Sequence, residues 1–315
     1  MAEVIIYRMA KGLNNRVDPA RLQCDTNPQS PDAGTTELAA AVNVDIDQTG
    51  GISSRPGRTK VTSLVRPHSL WSNGGLCFVV SEDTLYQVNS DYSVNPIVSG
   101  LTIGAHMAFA WFAGMVFWMN GNQCGIISPN GTNVAWQASK YVGPDTIYEI
   151  SFVPPIGSIL EVMSGYLLIG QGPILWFSMQ FAPLYYRLSR DFIGFPSDLT
   201  MVQAVEDGVW ISDSKTAYWL AGHDPNQWLL QPKSGFPAYP NPAIPGTAVG
   251  VQGSIIGQKQ LVGRVAIWTG PKGICVGASG GQFLNLTERK LVYPPSISGA
   301  AIVVNDNKYI TMLDS

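Results

Sequence analysis

The chain has 315 residues, enough for one large domain with a sizeable core, and nine tryptophans within a 10% aromatic content exclude a disordered polymer. Charged residues make up only 13%, about half the roughly 25% of an average soluble domain, and the net charge of −3 gives no footprint for tight nucleic-acid binding. So little charge on so aromatic a chain reads as a surface largely covered by neighbours, because interface cores are depleted in charge and enriched in aromatics.

The opening stretch MAEVIIYRMAKGLNN lacks the basic, apolar and small-residue succession of a signal peptide. Residues 1–32 read as an irregular arm before a domain spanning 33–315. Helix signals are sparse. TTELAAAVN (35–43) predicts a short helical turn capped by Thr35 or Thr36, and FAPLYYRLS (181–189) predicts a second. Asp45 and Asp47 imitate the start of a calcium loop, but Pro56 stands where the bidentate Glu is needed, so a solvated strand edge is the reading. AHMAFAWFAGMVFWM (105–119) is too short to span a bilayer and contains His106 and Gly114, which predicts two buried strands around a turn and no membrane insertion. Cys24, Cys77, Cys124 and Cys275 lie far apart without a CxxC pair, the pattern of free, mostly buried thiols made in a reducing cytoplasm.

Elsewhere, short runs rich in Val, Ile, Trp, Tyr and Phe are separated by Gly, Asn, Asp, Ser or Pro, the signature of an all-β fold. They recur in blocks: HSLWSNGGLCFVVSEDTLYQVN, AHMAFAWFAGMVFWMNGNQCGIIS, GSILEVMSGYLLIGQGPILWFS, LTMVQAVEDGVWISDSKTAYWLA, VGRVAIWTGPKGICVGA and GAAIVVNDNKYITML. With Leu76, Met115, Tyr166, Val209, Val265 and Ile302 as equivalent strand starts, the spacings are 39, 51, 43, 56 and 37, near the roughly 40 to 50 residues of a four-stranded propeller blade. The fold predicted is a single β-propeller of five or six blades closed by N- and C-terminal strands. The last block reads as one strand with no hairpin partner after it, to be paired by VNVDI or TKVTSL near the N-terminus. The Pro-rich segments 142–157 and 235–246 fall in long gaps and read as inserted loops. Tyr141, Tyr148, Phe236 and Tyr239 would serve there as anchors between subunits, or else pack each loop onto its own blade.

From Lys11 to about Asn95 the chain carries an ordered series: KGLNNRVDPARL, then ELAAAVNVDIDQTGGISSRPGRTKV, then PHSLWSNGGLCFVVSEDTLYQV. This series resembles the opening of tailed-bacteriophage tail nozzle, tail hub or packaged-DNA-stabilisation proteins. Their GxNN start leads to an A-x-N-V-D-x-D-x-x-G-x-x-x-R-x-G hairpin, matched here by Ala41, Asn43, Val44, Asp45, Asp47, Gly51, Arg55 and Gly57. An H-S-L-W strand and an LY-x-V strand follow, matched by residues 68–71 and by Leu85, Tyr86 and Val88. The resemblance covers the first third of the chain and implies a β-propeller subunit of the virion tail, assembled in the host bacterial cytoplasm. Its implied partners are further copies of itself in a ring, six-fold in the members it resembles, the neck, adaptor and portal-proximal proteins above, and tail-fibre or tail-tip proteins below. Double-stranded DNA would pass through without sequence recognition, and the ring would help retain packaged DNA. An adaptor that anchors tail fibres is an alternative role.

No motif points to catalysis or a cofactor. His68, His106 and His223 are each isolated from a second ligand or nucleophile, and Ser164-Gly165 and Ser279-Gly280 lack the G-x-S-x-G elbow. The G-x-x-x-x-G-K-[ST] and G-x-G-x-x-G loops are missing, and GASGG (277–281) is a turn composition. Glu149, Glu161, Asp191, Asp198, Glu206, Asp207 and Asp213, with the many Trp and Tyr, leave a carbohydrate-binding or glycoside-hydrolysing propeller as a further alternative. One charge feature stands out. Between Gly51 and Leu70 the chain carries Arg55, Arg58, Lys60 and Arg66 and no acidic residue. This is a docking surface, a channel lining that touches phosphates without reading sequence, or a solvated hairpin in which Arg58 and Lys60 share a strand face.

Overall fold

The computed structural model describes residues 12–22, 29, 36–42, 44–46, 52–54, 57, 59–140, 150–241, 244–247, 263–304 and 308–314. Five antiparallel sheets of four strands follow one another along the chain. After a ribbon of β1 (Val44–Ile46) and β2 (Ile52–Ser54), the first blade holds β3 (His68–Asn73), β4 (Leu76–Ser81), β5 (Thr84–Val88) and β6 (Val94–Val98). The second holds β7 (Ala108–Phe112), β8 (Met115–Met119), β9 (Cys124–Ile127) and β10 (Asn133–Ala135). A small three-stranded sheet of β11 (Ala138–Lys140), β12 (Ile150–Phe152) and β16 (Tyr185–Tyr186) flanks the third blade. That blade holds β13 (Ile159–Met163), β14 (Tyr166–Gln171), β15 (Ile174–Phe177) and β17 (Phe192–Gly194). The fourth holds β18 (Leu199–Val205), β19 (Gly208–Asp213), β20 (Ala217–Ala221) and β21 (Leu230–Ser234). The fifth holds β22 (Ile244–Thr247), β23 (Arg264–Gly270), β24 (Gly273–Ala278) and β25 (Gln282–Asn285). A hairpin of β26 (Ser298–Val304) and β27 (Lys308–Asp314) takes the sixth position. The first strands β3, β7, β13, β18, β22 and β26 are in contact in that order, so they form the innermost ring of a β-propeller.

The strand-start residues read from the sequence mark one structural position in five blades. Leu76, Met115 and Tyr166 open the second strand, and Val209 and Val265 lie one residue inside it. These strands are sandwiched between neighbouring blades on both faces, so they read as continuous apolar runs rather than alternating ones. Every residue of β19 is buried, and only Arg264 of β23 is exposed. The turns before them are legible too. Phe112 pairs with Met115 across Ala113 (φ 51) and Gly114 (φ 79), and Met163 pairs with Tyr166 across Ser164 (φ 48) and Gly165 (φ 85). Positive φ at both central residues is the geometry that matches strand twist in two-residue hairpins.

The sixth block departs from expectation. Ile302 lies inside β26 opposite Ile310, and Gly299 pairs with Leu313, so the segment read as one lone strand is itself a hairpin. Val304 pairs with Lys308, so the terminal strand takes its partner from its own block. The expected ladder between N- and C-terminal strands is not formed among the described residues, where β1 pairs with β2 and β26 with β27. Both predicted helical turns are also replaced. Leu38 makes a parallel bridge to Leu13, held by Asn14 N to Leu38 O (2.8 Å) and Leu38 N to Gly12 O (2.8 Å). Tyr185 and Tyr186 pair with β11, because burying Tyr186 completely gains more than a nine-residue helix offers alone. The Pro-rich segment 235–246 is no idle insertion, since its end supplies β22.

Aromatic packing between the fourth and fifth blades is the densest in the molecule's described part. Trp210 is fully buried, its ring 5.3 Å from Trp219 and 5.6 Å from Trp268, with Nε1 donating to Ala278 O at 3.2 Å. Gly277 lies flat against the Trp210 indole, where a β-carbon would collide with the ring. Trp210→Ala is expected to cost about 3–5 kcal/mol in urea unfolding. Gly277→Ala is expected to cost about 1–3 kcal/mol, whereas Gly194→Ala, where nothing lies within 4 Å, should be near neutral. Equal effects at the two glycines would refute this account of the interface.

Candidate functional site

The inner strands surround a cavity of about 1330 Å³. Its described lining comes from residues 69–73, 106–111, 158–162, 200–203, 300–302 and 310–312, with Asn241 and Arg264. The polar centre is Glu161 on β13. Its Oε2 accepts from Gln203 Nε2 at 2.6 Å and from Ala204 N at 3.3 Å, both on β18 of the next blade. Its Oε1 accepts from Val162 N at 2.9 Å and lies 3.9 Å from Arg264 Nη2 of the fifth blade. Burial pushes the Glu161 carboxyl above the ordinary range, and Arg264 and the two amides oppose that push. Three blades are thus joined through one carboxylate. Beside it, Glu206 accepts from Arg264 N and from Ser279 Oγ (3.0 Å), and Asp207 accepts from Gly280 N at 2.8 Å.

At another part of the wall, His68 Nδ1 lies 2.9 Å from Ser69 Oγ, which also accepts from Met107 N at 2.9 Å. Burial lowers the His68 pKa. His106 is among the residues that line the cavity and is exposed. Its pKa is lowered to about 4, first by desolvation and second by His68.

The carboxylates weighed for hydrolysis do not converge. Asp191 is buried against Arg187 Nε at 2.7 Å, and Asp213 accepts from the Lys215 and Thr216 amides at 2.8 Å and from Tyr218 OH at 3.1 Å. Asp198 is exposed, and Glu149 lies outside the described residues. Glu161 is the one carboxylate among the described lining residues, so the paired acids of glycoside hydrolysis are not assembled there.

Of the expected basic hairpin, Arg55 and Arg58 lie outside the described residues. Lys60 and Arg66 are exposed, and neither makes an ion pair among the described residues. Residues 59–67 form no strand, which corrects the expected alternation of a strand face around Lys60. The segment is fastened instead at its far end, where Val65 N donates to Ser81 Oγ (3.1 Å) and Ser81 Oγ to Val65 O (2.6 Å). Tyr141 and Tyr148 lie outside the described residues. Phe236 and Tyr239, the other expected interface anchors, serve the subunit's own core. Phe236 packs on Phe283 at 6.2 Å, and buried Tyr239 donates its hydroxyl to Pro294 O at 3.1 Å. Cys275 is buried and Cys77 and Cys124 are half-buried, all three as free thiols, while Cys24 lies outside the described residues.

The GxNN stretch forms a clamp that spacing alone did not reveal. Asn14 is buried, its Oδ1 accepting from Arg16 N (3.1 Å) and Val17 N (3.3 Å) and its Nδ2 donating to Glu37 at 2.6 Å. Asn15 mimics a strand residue: its amide reads the backbone of Val292 in both directions (3.0 and 2.7 Å), and its own N donates to Lys290 O at 3.0 Å. Glu37 also pairs with Lys290 at 3.4 Å. The GxNN stretch is thereby fixed to the segment leading into the sixth blade.

No protein-family model and no curated protein matches this chain. Among solved structures, the N-terminal domain of BBS1 in complex with ARL6 is similar at a TM-score of 0.52 and 11% identity, covering 83% of this chain and 81% of that one. The extracellular domain of a putative hybrid two-component system from B. thetaiotaomicron gives 0.46 at 9% identity, and the chain spans only 31% of its length while 79% of the chain is covered. A streptogramin B lyase gives 0.43 at 11%, with 79% and 83% covered. At such identities the likeness to the BBS1 domain shows the fold alone: this is a β-propeller protein.

The histidine site predicts an acid sensitivity. In the unfolded chain His106 takes a proton near 6.5, and in the folded protein only near 4. The unfolded state therefore binds more protons in that window, and stability falls as pH falls through it. The Tm of the wild type should drop relative to His106→Gln between pH 7 and pH 4. Parallel curves for the two proteins would show that the ring is solvated like a free histidine.

Proposed function

We propose that this chain is a structural subunit of a bacteriophage tail, a nozzle or hub protein that assembles into a ring and extends the DNA channel below the neck of the particle. The observation that carries this reading is the role of the motif on which the resemblance rests. Gly12 and Asn14 bond to Leu38 and Glu37, and Asn15 bonds to Lys290 and Val292 on the approach to the sixth blade, so the GxNN stretch is anchored to the propeller. An anchored stretch of this kind lets a subunit engage a neighbour without a large ordering cost. Lys60 and Arg66, exposed and without an acidic partner in the described subunit, fit a docking strip toward acidic groups of a neck protein. A net charge of −3 fits a channel component that must let DNA leave, since every phosphate contact would slow exit.

Electron micrographs of the purified protein are expected to show rings with a central pore, and monomers at every concentration would overturn the ring. In particles, Lys60→Glu with Arg66→Glu should leave the isolated subunit within about 0.5 kcal/mol of wild type but block its incorporation. Incorporation at wild-type level with normal DNA retention would remove the docking role.

A further inference from the structure

The axial cavity is more apolar on its open surface than a water-filled channel requires. Leu70, Trp111, Ile302 and Met312 all line it and are exposed by 63%, 40%, 48% and 70%. Large apolar groups exposed inside a concavity mark a binding surface rather than random exposure. The lining also carries neutral hydrogen-bonding groups, above all exposed Asn73 and, set into the wall at 5% exposure, Gln203. Gln203 donates its amide N–H to Glu161, and its carbonyl oxygen accepts from no described residue.

The charges select the occupant. Arg264 and Glu161 are the charged residues among the described lining, and they face each other across 3.9 Å. An anion would have to compete with Glu161 for Arg264. A cation would have to displace three donors already on the Glu161 oxygens. A purely aliphatic ligand would cover Asn73 and Gln203 without answering their hydrogen bonds, at about 1–3 kcal/mol for each unsatisfied group. A neutral ligand with an apolar face and many hydroxyls meets every demand. At about 1330 Å³, the space exceeds the roughly 300–1,000 Å³ of ordinary small-molecule pockets, so it suits a chain of several rings.

We infer that the propeller axis binds a neutral oligosaccharide, with Trp111 as the stacking platform and Asn73 and Gln203 as hydrogen-bonding groups. This goes beyond the nozzle reading and does not depend on it, since every residue named for the site lies on one chain.

The test is calorimetry and indole fluorescence on the purified full chain with cellotetraose, maltotetraose and N-acetyl-chitotetraose, and with tetragalacturonate as the charged control. At least one neutral tetrasaccharide is expected to saturate with a Kd below about 1 mM. Trp111→Ala and Asn73→Ala should each weaken it at least tenfold. Asn73 is exposed at the end of β3, so its variant decides the matter even if Trp111→Ala does not fold. Failure of all three neutral sugars, equal binding of the charged control, or wild-type affinity in Asn73→Ala would each overturn the site. Ring formation in micrographs is read separately, so the two proposals fail independently.

Discussion

Face-to-face burial between neighbouring blades is the interaction on which the rest of the structure depends. A single four-stranded sheet of this size cannot bury both its faces, and here the second strands of the five four-stranded blades are largely buried. The buried clusters follow the chain: Phe78, Phe109 and Trp118 between the first two blades, Phe117, Leu167 and Ile169 between the next two. Leu168, Val209 and Leu220 follow, and then Trp210 with Trp268. At the last junction the smaller Val265 and Val276 meet Val303 and Tyr309 of the terminal hairpin. Each interface needs the blade before and the blade after, so local sequence pattern becomes global shape only when the series curves into a ring.

That curvature brings the innermost strands together and creates a problem for polar groups. A carboxylate such as Glu161 near the axis loses water, which is why its pKa is pushed up. The structure answers with donors from its own strand and from β18 and a guanidinium from a third blade, so the burial cost is offset only where the blades are correctly spaced. The same logic applies at Glu206 and Asp207, which accept from the fifth blade's Arg264 and Gly280 amides and from Ser279. Apolar packing tolerates small slips between blades, whereas these charge-assisted bonds do not. They fix register around the axis.

Most of the fold was legible because each blade repeats one physical pattern: a tight turn, a fully apolar strand, a polar turn, a second strand. The reading failed where the same residues admit two pairings. GAAIVVNDNKYITML looks like one strand with a polar interruption, and only the match of Ile302 to Ile310 reveals a hairpin. Residues 36–42 carry good helix formers, yet Leu38 pairs with Leu13 and Glu37 answers Asn14 and Lys290, tertiary bonds that outweigh a weak local preference. The axial site was less legible still. Glu161 could be picked out as a carboxylate, but Gln203 and Arg264 come from separate blades, and nothing in their spacing announces that they meet it. The aromatic residues Phe236 and Tyr239 misled in the opposite direction, since a Pro-rich neighbourhood looks like an exposed loop while Ala238 and Tyr239 are buried.

The scarcity of charge acquires a specific meaning once the described charges are placed. Arg187 with Asp191, Arg264 with Glu161 and Lys290 with Glu37 are matched pairs, and Asp213 is enclosed by amides and a tyrosine hydroxyl. Much of the charge in the described blades is thus used to hold segments in place. Lys60 and Arg66 are different, standing exposed in a segment without strand structure whose far end is tied to β4 through Ser81. Neither forms an ion pair among the described residues, so a bond to an acidic surface would cost no existing pair there. On the two proposals above, the axial cavity and the cationic segment would take different partners, one recognised by shape and hydroxyl groups and the other by charge.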